Sequence, residues 1–180
     1  MSGGPGERGG TTAMARKGGR DERPGTKCDI KQPNGHVFTV QTEWTGGIRT
    51  VSKARRHEIV ADGPLWRHGT DDGPAPGELV LAASAACLVN HLVRFLQARR
   101  ARVHGVTAKA TGTFRAEGEL EVFDAFRFDV TVRAPRRCRP AVERGFEVAR
   151  EQCTLLLIMD VRKEYHLEFV GQESASDGGG

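Results

Sequence analysis

Cysteine is sparse and dispersed in this chain. The four thiols stand at Cys28, Cys87, Cys138 and Cys153, with no Cys-x-x-Cys pair and none of the crowding of a secreted disulfide scaffold. That spacing argues against a disulfide framework and equally against a structural zinc site. An apolar signal core is lacking near the N-terminus. A long uninterrupted apolar run is lacking too: the stretch from Leu79 to Leu96 is broken by Ser84, Asn90, His91 and Arg94, which fits a buried core helix better than a membrane span. The expectation is a soluble, cytoplasmic protein with no membrane partner. Met1 to Lys27 contains eight glycines, no aromatic residue and no apolar periodicity, so it cannot bury enough surface to offset the entropy of ordering. Disorder is predicted over 1–27 and again over 174–180, leaving one domain at 28–173. Met14 offers a second start.

A basic face is also missing. The formal charge is +4, but the N-terminal segment carries six cations (Arg8, Arg16, Lys17, Arg20, Arg23, Lys27) against Glu7, Asp21 and Glu22, so it supplies three of the four charges. The remaining arginines, among them Arg99, Arg100, Arg102, Arg136 and Arg137, are scattered among acids. No nucleic-acid partner is expected from the folded part.

What is present is an α+β pattern without internal repeats. From His36 to Trp44 the residues alternate, with Phe38, Val40, Thr42 and Trp44 on one face of a half-buried strand. Gly46-Gly47 turns the chain into strands over Ile48–Ser52 and Arg56–Ala61, closed by Asp62-Gly63-Pro64. A loop rich in Gly, Pro and Asp covers Leu65 to Pro76. Gly77-Glu78 then opens a long helix of alanines and leucines, with a carboxylate in its first turn and Arg99 and Arg100 in its last. Val106, Ala108, Ala110 and Phe114 alternate inward, as do Phe126, Phe128, Val130 and Val132, in two strands joined through Glu117-Gly118-Glu119. After Pro140, the residues Val142, Phe146, Ala149, Cys153 and Leu156 form one helical stripe. A last strand follows, with Val161, Tyr165, Leu167 and Phe169 inward.

Cys87 sits in Ala82-Ala83-Ser84-Ala85-Ala86-Cys87-Leu88, where small neighbours let another element approach the helix backbone. At helical spacing it shares a polar stripe with Ser84, Asn90, His91 and Arg94. Cationic or hydrogen-bonding neighbours favour the thiolate, which is the nucleophilic form. On position alone, however, a small buried hydrophobe is the more economical reading of Cys87, and of Cys153 still more. Cys28 and Cys138, the latter in Arg136-Arg137-Cys138-Arg139, read as exposed. His91 reads as an interface residue.

The combination of Gly73-Pro74-Ala75-Pro76-Gly77-Glu78-Leu79 running into Ala82 to Leu88, with Glu151-Gln152-Cys153 in the second helix, resembles the OsmC/Ohr family over roughly His36 to Val170. The likeness is greater to its OsmC-like branch. The resemblance implies antiparallel sheets packed around two long helices and an intertwined homodimer with its sites at the subunit interface. It implies that Cys87 is the peroxidatic thiolate and Cys153 the resolving thiol. An arginine and a glutamate would position thiolate and peroxide. Glu78 lies in the matching helix-opening motif, although Gly77 takes the place of another acidic residue often found there. Gly46-Gly47-Ile48-Arg49 is similar to the family's Gly-Gly turn followed by arginine, which selects Arg49 over Arg55, Arg56 and Arg67. Thr154 stands where many members carry proline.

The implied chemistry is reduction of a hydroperoxide substrate through a Cys87 sulfenic acid and a Cys87–Cys153 disulfide. A dithiol reductant, lipoyl-type or a small thiol, reopens it, and no metal, flavin or haem is needed. Phe95, Trp66 and Leu79 would favour organic peroxides. The rival reading is a non-catalytic dimer of the same fold that binds a small apolar ligand. A third, nucleic acid held by the basic tail, rests on charge alone.

Overall fold

The computed structural model describes residues 37–173. The expected disordered tails at 1–27 and 174–180, Cys28 and the first residue of the predicted strand, His36, lie outside that range. From Thr39 onward the described chain forms one compact unit.

Three short strands open it: β1 (Gln41–Gly46), β2 (Arg49–Ala54) and β3 (His57–Ala61), paired antiparallel in that order. Gly46 and Gly47 both take positive φ at the first turn, and the Trp44 indole N–H donates to Gly47 O at 2.9 Å across it. Arg55 and Arg56 form the second turn. The first strand therefore begins later than its alternation suggested, and the face expected to be half-buried is open within one chain, Trp44 being 70% exposed.

The long helix α1 runs Pro76–Ala98. Proline at its first position costs no hydrogen bond, since the first N–H groups of a helix lack intrahelical partners. Arg99 and Arg100 lie just beyond the helix rather than in its last turn; the Ala101 amide bonds back to Leu96 O at 3.0 Å and closes it. By length and composition α1 could cross a membrane, yet its Ser84, Leu88, Leu92 and Leu96 stripe is buried against the rest of the chain.

That stripe meets a second sheet. Strands β4 (Gly105–Glu117) and β5 (Leu120–Pro135) form a long hairpin through Gly118 and Glu119. The inward residues Phe126, Phe128, Val130 and Val132 are fully buried, as their alternation predicts. Phe114 is not, because a bulge between Thr113 and Phe114 resets the register, and its ring stacks on Phe123 at 4.2 Å instead. The helix α2 (Arg139–Gln152), a one-turn helix α3 (Thr154–Ile158) and the strand β6 (Arg162–Gln172) complete the chain.

Two expectations are corrected here. The sheets are not wholly antiparallel: β6 lies parallel to β5, from Ala125↔Arg162 to Pro135↔Gln172. The helical crossover between them returns the chain to the same end before it re-enters the sheet, which is what a parallel pair requires. Cys138 is not exposed either. It lies in the turn just before α2, four residues before Val142 and in line with that helix's buried stripe, so it joins the core while the flanking arginines are exposed.

Candidate active site

The second helix does not run unbroken from Pro140 to Leu156. It stops at Gln152, Cys153 adopts an extended backbone (φ −67°, ψ 99°), and α3 starts at Thr154. A proline at 154 would force the preceding residue into that region for steric reasons. Here the break forms with threonine, so packing imposes it: Ala149, Cys153 and Leu156 are all pulled into the core.

The break turns Cys153 toward Cys87, on the middle of α1. Both thiols are free, and Cys87 is near enough to raise the pKa of the Cys153 thiol. Their exposures differ. Cys153 is 0% exposed, whereas Cys87 is half-buried, and its Sγ also lies 3.9 Å from the Thr154 hydroxyl. Burial pushes the Cys153 thiol up to about 11, and Cys87 adds to the rise, partly offset by backbone N–H groups of Leu156 and Leu155. Cys153 thus keeps its proton at neutral pH, and Cys87 is the sulfur a solute can reach.

A pH dependence follows. Because the folded value lies above the ordinary 9.0, this thiol contributes stability that is present below pH 9 and is lost as pH rises from 9 toward about 11, where the unfolded chain ionises and the folded one resists. Unfolding titrations of wild type across that window are expected to show a decline that Cys153→Ala reduces. Equal declines in both proteins would mean that the thiol is not sealed.

The polar stripe around Cys87 is not what its spacing suggested. Ser84 is buried and donates to Val80 O at 2.8 Å, within its own helix, and Arg94 is exposed. Glu78 accepts the Ala75 amide N–H at 2.8 Å and so caps α1. Nine residues separate it from Cys87, which places it on the opposite side of the helix and about 13 Å along it. Within one chain it is not beside the thiol.

The arginines separate clearly. Arg55 and Arg56 occupy the β2–β3 turn. Arg67 pairs with Glu121 and lies over the Trp66 ring, itself 74% exposed. Arg49, at the start of β2, donates through Nη1 to Thr45 Oγ1 at 2.8 Å and directs Nε at Asp72 Oδ2, 3.3 Å away. Among the described residues, no hydrogen bond or ion pair links Arg49 or Glu78 to either thiol. The chain therefore brings Cys87 near Cys153 and leaves Arg49 in a separate assembly.

That assembly depends on Asp62, a residue the sequence offered only as part of a turn. Its carboxylate is 2% exposed, and Oδ2 accepts the Thr70 hydroxyl (2.6 Å), the Thr70 amide (2.9 Å) and the Asp72 amide (3.2 Å). These bonds, the Thr70 hydroxyl foremost, hold it well below the usual carboxylate range despite burial. The loop closes tightly: a Cβ on Gly69 would stand 1.8 Å from Gly63 O, and one on Gly73 2.7 Å from Val60 O.

Two neighbouring free thiols, a half-buried one on α1 and a buried one at the break between α2 and α3, set against a mixed sheet, define a dithiol protein of α+β architecture. The family model described as OsmC-like protein matches residues 69–165, more than half of the chain, and the chain belongs to that family. Among solved structures, an OsmC-like protein of unknown function from Vibrio cholerae is similar with a TM-score of 0.67 at 12% identity, covering 74% of this chain and 99% of that one. A hypothetical protein from Aquifex aeolicus gives 0.65 at 19% identity (77% and 100% covered). An organic hydroperoxide resistance protein from Elizabethkingia anophelis gives 0.60 at 16% identity (78% and 100%). At these identities the likeness is one of fold. No curated protein matches the chain.

Proposed function

We propose that this protein is a thiol-dependent peroxidase for organic hydroperoxides, acting in oxidative-stress defence as a homodimer. The observation that carries the reading is the facing of a half-buried Cys87 by a sealed Cys153 that retains its proton. The Cys87 thiolate attacks the distal oxygen of the hydroperoxide: an S–O bond forms, the O–O bond breaks, and the alkoxide takes up a proton and leaves as the alcohol. Cys87 is then a sulfenic acid. Cys153 attacks it, the S–S bond forms, and the sulfenic oxygen leaves as water. A dithiol reductant, lipoyl-type or a small thiol, restores both thiols by exchange and is itself oxidised.

Arg49 is the proposed guanidinium that stabilises charge on the leaving oxygen, since it offers donors in a fixed fork and is always charged. It acts across the dimer, which is why its separation from the thiols within one chain is compatible with the role. Support for a second copy comes from the exposed apolar residues around the small sheet, Trp44, Ile59, Leu65 and Trp66.

Purified protein is expected to consume cumene hydroperoxide with saturation when dihydrolipoamide or dithiothreitol is supplied, and to do so faster than it consumes hydrogen peroxide. Consumption no greater than in protein-free buffer contradicts the reading. It would favour a binding module for a small apolar ligand.

A further inference from the structure

We infer that Thr154 is a catalytic residue of the second half of the reaction, its hydroxyl holding the oxygen that the peroxide leaves on Cys87 and stabilising it as it departs. The inference rests on the peroxidase reading for the origin of that oxygen and deepens it by naming the group that receives it. Thr154 Oγ1 lies 3.9 Å from Cys87 Sγ. That is long for a bond between the hydroxyl and the sulfur themselves, but it is the room that one added oxygen needs. A sulfur–oxygen single bond followed by an O–H···O hydrogen bond of about 2.8 Å, meeting at an open angle at the oxygen, spans the gap with neither helix moving.

The hydroxyl is uncommitted. Thr154 is the first residue of α3 and Cys153 stands at the cap position, so capping does not use the threonine oxygen. Among the described residues it is the one side-chain oxygen within hydrogen-bonding range of Cys87. Ser84, one turn earlier on α1, is buried and donates to Val80 O instead. The break that turns Cys153 toward Cys87 carries its neighbour with it, so the resolving sulfur and the hydroxyl reach Cys87 from the same short segment. A proline at 154 would hold the same extended backbone at Cys153 but has no hydroxyl to give. In the step itself the Cys153 sulfur attacks the Cys87 sulfur, the S–S bond forms and the S–O bond breaks. The oxygen leaves as water with its own hydrogen and the proton of the Cys153 thiol; the sulfenic sulfur is reduced and the thiol sulfur oxidised. The oxygen gains charge as the S–O bond lengthens, and the Thr154 O–H is the donor placed to stabilise it.

The test oxidises reduced protein with one equivalent of cumene hydroperoxide and follows alcohol release and disulfide formation separately by rapid quench, with dimedone competing for the sulfenic acid. Thr154→Val and Thr154→Pro are expected to release the alcohol within about 2-fold of the wild-type rate and to form the Cys87–Cys153 disulfide about 10-fold more slowly, with more dimedone on Cys87. Thr154 is exposed, so water substitutes in part for the missing hydroxyl and keeps the loss below that of a buried oxyanion donor. Thr154→Ser, which keeps the hydroxyl, restores the rate. Fast disulfide formation in Thr154→Pro beside a slow Thr154→Val would mean that the backbone break matters and the hydroxyl does not, which overturns the assignment. Two variants as fast as wild type overturn it as well, and so does a loss confined to alcohol release. Excess hydrogen peroxide, which makes a sulfenic acid on a reachable thiol without selective binding, separates this inference from the reading beneath it. A wild type indifferent to cumene hydroperoxide, whose sulfenic acid made in this way still condenses at a rate set by the hydroxyl at 154, would remove the peroxidase reading and leave the role of Thr154 standing.

Discussion

Replacing Cys87 with serine is expected to abolish peroxide consumption, and replacing Cys153 to permit one oxidation per chain and no more. A serine hydroxyl at position 87 is not ionised near neutral pH and is a far poorer nucleophile than a thiolate, so the fall in kcat should be on the order of 10³-fold or greater, the scale seen when a covalent nucleophile is removed. Cys153→Ser keeps the attacking sulfur. It therefore yields one equivalent of alcohol, after which the sulfenic acid on Cys87 has no internal thiol to condense with and can be trapped by dimedone. A large excess of small thiol should restore slow turnover by attacking that sulfenic acid directly. The roles would be reversed if Cys153→Ser were dead and Cys87→Ser trapped dimedone, an outcome at odds with the complete burial of Cys153.

Phe128→Ala is expected to destabilise the fold by about 3–5 kcal/mol, the usual cost of deleting a buried aromatic ring and leaving a cavity. Phe128 is 0% exposed on the central strand β5, stacked on Tyr165 at 5.7 Å and edge-on to Phe126 at 6.3 Å. Since domains are typically stable by only about 5–15 kcal/mol, the change removes a large part of the margin. Urea unfolding should show a lower midpoint with an unchanged slope. The effect bears on the site as well, because Tyr165 also meets Phe146 of α2, the helix that ends at Cys153. A loss below about 1 kcal/mol would mean that this face of the sheet is not sealed.

The elements whose signals are local were legible in the sequence. Helix α1 declares itself through alanines, leucines, Pro76 and the Glu78 carboxylate, and β5 through strict alternation that places Phe126, Phe128, Val130 and Val132 inward. The stripe through Val142, Phe146, Ala149 and Cys153 likewise predicted which side of α2 is buried. Direction and interruption were not legible. Alternation in β6 is the same whether the strand runs parallel or antiparallel, and only the crossover decides it. Nothing in Gln152-Cys153-Thr154-Leu155 opposes a helix; tertiary packing overrides local propensity there. Cys138 read as exposed because its neighbours are arginines, although its spacing to Val142 already put it on the buried stripe.

For the site, two helices bearing one cysteine each were visible, but their juxtaposition is a property of the fold. The choice of Arg49 rested on a Gly-Gly turn; Arg49 pairs with Asp72 and Arg67 with Glu121, so the ion pairs do not choose between them. Asp72 was passed over as one acid in an Asp-Gly loop. Only the burial of Asp62, ten residues earlier, shows that this loop is wound around a carboxylate, and no periodicity in the chain signals that contact.

The most direct test of the central claim is to add one equivalent of cumene hydroperoxide to the reduced protein, quench with an alkylating reagent, and map the peptides by mass spectrometry. The prediction is a loss of two hydrogens from the intact mass and a single cross-linked pair of peptides joining Cys87 to Cys153. A protein that remains fully alkylated at both positions, or that links Cys87 to any other cysteine, would contradict it.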